Sequence, residues 1–208
     1  ADEWKAQYWK NNEAATVLTT TSDINYSMAL GIQVADTHVY VAGIDAGHAA
    51  YWKDGNMIDL TSGTSSRAEA IYVRDTGSVY TTGKYADGGV PIACFWIDGS
   101  KSDYVAGMIS DTSGTDIQVN GSGDIFVSGY VDPGGENDAI YWKNHTRTEL
   151  HTSSDAKAES IFLLNSDVYV GGWQNNGTNE SACYWKNGVR TDLHTTSESK
   201  VFDIAVMP

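Results

Sequence analysis

Short stretches of apolar residues, many alternating with polar ones, are separated along the whole chain by clusters of Gly, Asn, Asp and Ser. This pattern is typical of short β-strands joined by turns. No stretch of about 10 or more residues has the periodicity of a helix. The sequence therefore predicts an all-β protein.

One aromatic phrase recurs at intervals of 43 to 46 residues. Its five copies are "AQYWKNN" at 6–12, "AAYWKDG" at 49–55, "ACFWIDG" at 93–99, "AIYWKNH" at 139–145 and "ACYWKNG" at 182–188. A catalytic motif normally occurs once, so the recurrence indicates architecture. A period near 43 residues that contains four short β-like segments is typical of the blades of a β-propeller.

Each repeat is interpreted as four strands, A to D. In the fourth repeat these are "AESIFLL", "VYVGGW", "ACYWK" and "VRTDLHT". The Asn-Gly or Asp-Gly pair between strands C and D predicts a two-residue hairpin turn, because both positions of a type I′ turn need positive φ. Neighbouring residues on a strand point to opposite faces. The Tyr-Trp doublets are therefore predicted to fill the spaces on both sides of each blade.

The sequence resembles bacterial β-propellers built from repeats with a "YWKNG" core, and the resemblance covers nearly the whole chain. Blade number and size are also similar to those of the five-bladed tachylectin-like lectins, although no motif is shared. The expected fold is a five-bladed, all-β propeller with about 43–46 residues per blade. We expect one domain, 1–208, with blades at about 26–62, 67–107, 114–152, 157–196, and 200–208 together with 1–20.

The last blade is expected to be closed by strands from both termini. Strand A is predicted five times, at about 28–35, 68–74, 115–120, 157–164 and 200–206, whereas strand B is predicted only four times. Three explanations stay open: a three-stranded closing blade, a chain that is a fragment of a longer protein, or a fourth strand supplied by a partner. An unpaired strand edge would also allow oligomerisation through the incomplete blade.

The formal net charge of −14 argues against nucleic acid as a partner, because phosphate binding needs clustered Lys and Arg. No apolar run reaches the roughly 20 residues needed for membrane insertion. Cys94 and Cys183 occupy the same position of two repeats that are not adjacent, so we expect free, buried thiols. The expected location is secreted or periplasmic, although the cysteines do not settle it.

The loops between strands B and C and between blades lie at the same end of a propeller, and they are long and variable here. The position after the strand-B glycine holds Ile44, Lys84, Tyr130 and Trp173 in successive repeats, which predicts partial exposure. Aromatic rings with polar neighbours can bind sugars. The candidate ligand-binding residues are Tyr130, Trp173, Asp132, Asn137, Asn175 and Asn176. The competing interpretation is that the two rings only cover the loop bases.

Four carboxylates near strand A are expected to lie at the mouth of the central channel: Glu69, Asp116, Glu159 and Asp203. Rings of oxygen ligands suit Ca²⁺, so they are weak candidates for a metal site. Solvated or structural carboxylates are the competing interpretation. We expect no other cofactor.

No sequence motif of a known catalytic site occurs, and the five histidines do not have metal-ligand spacing. The predicted function is a non-enzymatic binding module, carbohydrate-binding and lectin-like, that acts through the loops on one face. The alternatives are a protein-interaction scaffold without a small ligand and, as a minority interpretation, a glycoside-cleaving enzyme.

Overall fold

The computed structural model describes residues 5–11, 13–18, 26–61, 65–103, 111–151 and 154–207, with the backbone alone at 87. The chain divides into two compact units, Ala1–Asp103 and Tyr104–Pro208. Each unit is described below by itself. No helix in the described ranges is long and apolar enough to cross a membrane.

The first unit contains ten strands in the part of it that the structure describes. They are β1 (Gln7–Tyr8), β2 (Thr16–Val17), β3 (Met28–Ala35), β4 (His38–Asp45), β5 (His48–Lys53), β6 (Asn56–Asp59), β7 (Ser66–Val73), β8 (Val79–Asp87), β9 (Val90–Ile97) and β10 (Ser100–Asp103). The N-terminal strand pair is β1–β2, the first sheet is β3–β6 and the second sheet is β7–β10.

The second unit contains eight strands within its described residues. They are β11 (Thr112–Val119), β12 (Ile125–Val131), β13 (Asp138–Lys143), β14 (Thr146–His151), β15 (Ala156–Leu164), β16 (Asp167–Asn175), β17 (Glu180–Lys186) and β18 (Val189–Asp192). The third sheet is β11–β14 and the fourth sheet is β15–β18. In all four larger sheets the strands follow chain order and are antiparallel, as predicted for strands A to D.

The turn after each aromatic doublet is held by one repeated device. Asp54 and Gly55 have φ of 49° and 83°, which is the backbone conformation expected of a type I′ turn. The Asp54 side chain also accepts a hydrogen bond of 2.9 Å from the Val39 N–H, which lowers the pKa of that carboxyl. Asp98, Asn144 and Asn187 bind the first residue of strand B in the same way in the other three sheets. The Asp or Asn therefore makes the hairpin and also ties it to the neighbouring strand.

The lysine of the phrase packs against the aromatic residue of strand B. The Nζ atoms of Lys53, Lys143 and Lys186 lie 5.1 to 5.4 Å from the ring centroids of Tyr40, Phe126 and Tyr169. A cation within about 6 Å of an aromatic centroid is attracted to the ring. The two recurring phrases of the sequence are thus coupled in space.

The aromatic doublet does fill both faces of the first sheet. Tyr51 packs in the core between the first and second sheets, and Trp52 packs against the N-terminal strand pair. Trp52, Trp96 and Trp185 are fully buried, and Trp142 is 1% exposed. Trp9, in the N-terminal copy, is 64% exposed, so the expectation of two covered faces is wrong for that copy.

Each of the four larger sheets carries a β-bulge on its first strand, opposite the strand-B glycine. The pairing register shifts between Ala29 and Gly31, and at the equivalent place in the other three sheets. The bulged residues are Leu30, Glu69, Thr115 and Glu159. The bulge brings the backbone of the first strand close to the glycine, which is the reason that this position has no side chain.

The C-terminal segment, 193–207, contains no regular strand, so the strand predicted at 200–206 is not formed. The segment nevertheless lies along the fourth sheet. Ser199 Oγ accepts a hydrogen bond of 3.0 Å from the Ala182 N–H, just as Ser66 Oγ of the second sheet accepts one from Ala49 of the first. The segment therefore takes the place, on the fourth sheet, that the first strand of a following sheet would take.

Candidate ligand-binding site

In the second unit, the residue after the strand-B glycine lies against a lysine from the next sheet or segment. Lys157 Nζ, on the first strand of the fourth sheet, lies 4.4 Å from the ring centroid of Tyr130 on the third sheet. Lys200 Nζ, on the C-terminal segment, lies 4.1 Å from the Trp173 ring of the fourth sheet. Two junctions in the second unit are thus filled by a large ring and a lysine.

Trp173 is buried, with 3% of its surface exposed, so the predicted partial exposure is wrong for this residue. Its indole Nε1–H donates to Glu159 Oε1 at 3.0 Å, and Lys200 covers the ring. Lys200 is itself paired with Glu180 at 2.6 Å. Tyr130 is half-buried beneath Lys157. Both rings therefore have protein partners.

The corresponding junction between the first and second sheets is open. Ile44 takes the place of the large ring, and Arg67 takes the place of the lysine. The result is a cavity of about 180 Å³, which we call the junction cavity. It is lined by Tyr26, Ile44, Gly47, Ser65, Ser66, Arg67, Lys84, Tyr85, Ala86 and Pro91. Two of these residues, Ile44 and Lys84, belong to the variable position that the sequence identified.

The walls of the junction cavity combine aromatic and cationic side chains. Tyr26 is half exposed. Tyr85 carries Lys101 Nζ 3.2 Å from its ring centroid, and its hydroxyl donates to Asp103 Oδ2 at 3.2 Å. Burial of Ile44 to 3% gives the cavity an apolar floor. An apolar base with a few oriented polar groups is the usual composition of a small-ligand site.

Arg67 is oriented by Glu69, the bulged residue of the same strand. Arg67 Nε lies 2.6 Å from Glu69 Oε1, and Nη2 donates to Oε2 at 3.0 Å. One hydrogen bond and one close ion-pair contact thus hold the guanidinium next to the Glu69 carboxylate. The bulge therefore positions a wall of the cavity, because it places the Glu69 carboxylate next to the Arg67 guanidinium.

The predicted polar neighbours of the two rings mainly shape their own loops. The Asp132 carboxylate accepts the N–H groups of Gly134 and Gly135, and Asn175 Oδ1 accepts that of Gly177. Asn176 and Asn137 make comparable contacts, Asn176 with Thr178, Asn179 and Ser181, and Asn137 with Asp155. These contacts give the four polar side chains a structural role within and next to their own loops.

The four candidate metal ligands occupy different structural positions. Glu69 and Glu159 are bulged residues bound to Arg67 and Trp173, whereas Asp116 follows a bulge. Asp203 lies on the C-terminal segment and accepts the Ile204 N–H at 2.8 Å. Among the residues described, no group of three or more His, Cys, Asp or Glu side chains could hold a metal ion. The expectation that these four carboxylates form one set is therefore corrected.

Asp116 clips the third sheet to the fourth. Its carboxylate accepts the N–H of Ile117 at 2.7 Å and the N–H of Ile161, on the neighbouring sheet, at 2.9 Å. Loss of hydration raises its pKa to about 6, against the hydrogen bonds that lower it, and the nearby Asp203 raises it further. The equivalent positions in the other sheets are Gly31, Ala70 and Ser160, so this clip is particular to the third sheet.

Asp116 is expected to make stability fall between about pH 4 and pH 6. The folded protein binds the proton more tightly than the unfolded chain, so the favourable contribution is complete below the unfolded pKa. It is lost as the pH rises through the folded pKa, by about 3 kcal/mol. Urea titrations of the wild type and Asp116→Asn across this range check it. Parallel pH profiles of the two proteins would contradict the assignment.

Both cysteines are free and buried in the structure. Burial raises the pKa of the Cys183 thiol to about 12 and that of Cys94 well above its usual value. Thiolate chemistry at neutral pH is therefore strongly disfavoured.

Sequence reasoning identified the variable position, of which two members, Ile44 and Lys84, line the junction cavity, but it selected the two members whose rings are covered by lysines. It selected Tyr130 and Trp173 because they are aromatic, and it missed Tyr26, Arg67 and Tyr85. The available signal was the small residue at the variable position, Ile44. A short side chain where related repeats carry a large ring leaves space between two sheets.

No protein-family model matches the sequence, and no curated protein is similar to it. Similarity to solved structures is found in the fold. TolB from Acinetobacter baumannii matches with a TM-score of 0.56 at 13% identity, over 90% of this chain and 47% of that chain. The chain thus spans about half the length of the TolB structure. Because TolB has a propeller-type fold, the match indicates that this chain is an all-β protein of propeller type.

Two further structures are similar at lower scores. The nidogen/laminin complex matches with a TM-score of 0.49 at 14% identity, over 88% of this chain and 67% of that chain. The catalytic domain of the GH62 α-L-arabinofuranosidase from Coprinopsis cinerea matches with a TM-score of 0.44 at 10% identity, over 81% and 67%.

Proposed function

We propose that this chain is a non-enzymatic binding module that takes a small carbohydrate unit in the junction cavity. The observation that supports it is the contrast between junctions. Where Tyr130 and Trp173 fill the space with a ring, Ile44 leaves it open between two tyrosines and two cationic residues. This moves the predicted lectin-like site from the second unit to the first.

The size of the cavity favours a single ring-sized group. About 180 Å³ is below the ~300–1,000 Å³ of sites that enclose drug-sized ligands. Tyrosine rings stack on the apolar faces of sugars and offer hydroxyl groups at their edges. One terminal sugar of a glycan fits this description better than an extended chain.

Ile44→Trp is expected to abolish binding, with a fall in affinity of about tenfold or more. The indole would fill the junction cavity as Trp173 fills the equivalent place in the fourth sheet. A glycan array identifies the sugar, and calorimetry with that sugar measures the affinity of both proteins. Circular dichroism checks that the variant is folded, because overfilling a core costs about 1–3 kcal/mol.

Val189→Trp is the matched control, since it adds the same side chain at a position that is 71% exposed on the fourth sheet. It should bind as the wild type does. Equal binding by Ile44→Trp would place the site elsewhere, and no binding to any glycan would favour the alternative below.

A protein-interaction scaffold without a small ligand is the alternative. It is supported by Ile32 and Val34, which are 58% and 64% exposed on the first strand of the first sheet. Exposed apolar side chains on one strand are typical of interaction surfaces. A silent glycan array together with a protein partner whose binding Ile32→Lys weakens would favour the scaffold.

A glycoside-cleaving enzyme is the less favoured alternative, and it is supported by the raised pKa of Asp116, which an acid catalyst also has. Its two backbone hydrogen bonds give that carboxyl a structural task. Hydrolysis of aryl glycosides that Asp116→Ala and Glu159→Ala abolish would restore the enzyme interpretation.

We also propose the five-bladed arrangement predicted from the repeats, with a last blade made from the two chain ends. It is supported by the five copies of the aromatic phrase and by the C-terminal segment, which takes the place of a first strand on the fourth sheet. The structure leaves Trp9 64% exposed, and with no further strand over the ring Trp9→Ala should cost less than about 0.5 kcal/mol of unfolding free energy. A cost of about 3 kcal/mol or more, as for a core aromatic, is expected if a completed fifth blade covers the ring, and the smaller cost would count against that blade.

A further inference from the structure

One face of the first sheet lies open where the same face of the second sheet is covered. On β3 the side chains of Ala29, Ile32 and Val34 are exposed. The residues at the same positions of the second sheet are buried: Ala68, Ile71 and Val73. The repeat therefore normally places a cover over these three positions, and the first sheet lacks it.

The cover in the other sheets includes the aromatic residue of strand B. Tyr40, on strand B of the first sheet, lies in one core cluster with Ile71 and Val73 of the second sheet. Phe126, the equivalent residue of the third sheet, lies in one cluster with Ile161 of the fourth. A sheet thus covers the first strand of the sheet that follows it with a ring from its own strand B.

The N-terminal strand pair gives the first sheet only part of such a cover. Ala6, Tyr8 and Leu18 pack against the first sheet. Three residues of strands C and D do the same for the second sheet, and they are Ala49, Tyr51 and Leu60. Within the described residues β1 pairs with β2 alone, whereas each strand C of the four larger sheets also pairs with a strand B. In the part of this unit that the structure describes, the element absent beside β1 is therefore one strand B.

The place of that strand is a groove of about 260 Å³, which we call the strand slot. Its lining includes Tyr8 and Trp9 on one side, and Ala29, Ile32 and Val41 of the first sheet on the other. Tyr8 and Val41 also belong to the core between the strand pair and the first sheet, so this interface continues into the slot. A free strand edge beside an apolar face is a surface to which an extended segment adds as a further strand.

We propose that the strand slot binds an extended strand of a partner protein, which pairs with β1 and carries the strand-B pattern of this chain. The four copies of that pattern are "VYVAG", "VYTTG", "IFVSG" and "VYVGG". The partner's aromatic ring lies over Ile32 and Val34, as Tyr40 packs with Ile71 and Val73. Hydrogen bonds to the edge of β1 give affinity, and the alternate side chains give specificity.

The strand slot shares no lining residue with the junction cavity, so the two proposals are independent. A titration with sugars tests the cavity and a titration with peptides tests the slot. Failure of either result leaves the other as it was.

The test uses the chain's own β4 sequence, "HVYVAGID", as a fluorescently labelled peptide that is titrated into the full chain. We expect saturable one-to-one binding, measured by anisotropy. The control peptide has its tyrosine and the following valine exchanged. Because neighbouring residues of a strand point to opposite faces, the exchange turns the ring away from Ile32. It should bind at least about tenfold more weakly.

Two variants of the chain locate the peptide. Ile32→Lys should weaken binding by about tenfold or more, because the partner's ring would bury the new charge. Ile32 is exposed, so this variant is expected to fold. Val189→Lys adds the same charge at an exposed position of the fourth sheet and should bind as the wild type does. Hydrogen exchange gives a second readout, in which the peptide should protect the backbone amides of β1.

Equal binding of the two peptides, binding that Ile32→Lys leaves unchanged, or protection that excludes β1 would each overturn the proposal. Failure of the β4 peptide to bind would overturn it as well. In that case size-exclusion chromatography shows whether a second copy of the chain is the occupant instead. A wild-type dimer that Ile32→Lys converts to a monomer would identify it.

Discussion

Trp142→Ala is expected to lower the free energy of unfolding by about 3–5 kcal/mol, as truncation of a core aromatic does. The side chain is 1% exposed and lies on β13, an inner strand of the third sheet, across from Val127. It packs against the bare backbone of Gly129, where an added Cβ would meet its Cζ3 at 2.7 Å. The deletion would therefore leave a cavity that the rigid glycine strand cannot collapse to fill. Urea denaturation followed by circular dichroism measures the change.

Tyr26→Ala is the control, because that ring is 50% exposed and its removal should cost less than about 1 kcal/mol. Trp173→Ala is also expected to cost about 3 kcal/mol, since its ring is buried, hydrogen-bonded to Glu159 and covered by Lys200. The sequence alone predicted partial exposure of this residue. An unchanged midpoint for Trp142→Ala would show that the aromatic doublets are not the filling between sheets.

The strands and turns were predictable because they depend on local chemistry. Alternation and the Asp-Gly or Asn-Gly pairs predict four strands and a tight hairpin. The structure has the four strands in four repeats, and both residues of the pair have positive φ in the three repeats that carry it. The predicted first strand at 28–35 coincides with β3. The second contribution of Asp54 and its equivalents, the bond to strand B, was not predicted. That bond joins residues 15 positions apart, and only the fold brings them together.

The candidate site could be predicted only by position, not by residue. Repeats identify which places are equivalent, so the sequence selected the position of Ile44, Lys84, Tyr130 and Trp173. Exposure at that position depends on what the next sheet contributes, and this is a long-range property. Lys157 and Lys200 cover the two rings at this position, whereas Arg67 is ion-paired with Glu69 on its own strand.

The acidic residues near the first strands show the same limit. In the sequence, Glu69 and Asp116 each lie one or two positions before an isoleucine, and they were therefore assigned to one set of carboxylates. The β-bulge separates them, because Glu69 is the unpaired bulged residue while Asp116 pairs with Ser128 one place later. One carboxylate orients an arginine, and the other joins two sheets. A bulge on the first strand is not visible in the sequence except through the glycine that faces it.

That glycine gives the second large effect: Gly83→Ala is expected to cost about 3 kcal/mol or more of unfolding free energy. A Cβ at Gly83 would lie 2.0 Å from the Arg67 carbonyl oxygen and 3.1 Å from the Ala68 Cα. Both are backbone atoms of the bulged strand, so no side chain can move aside, and the cost of overfilling at such a place exceeds the usual 1–3 kcal/mol.

Gly121→Ala is the matched control, because nothing lies within 4 Å of its Cβ position and its φ is not positive. It should be neutral or stabilising by up to about 1 kcal/mol, since alanine reduces the entropy of the unfolded chain. Equal urea midpoints for the two variants would mean that the bulge does not approach strand B as closely as the structure shows.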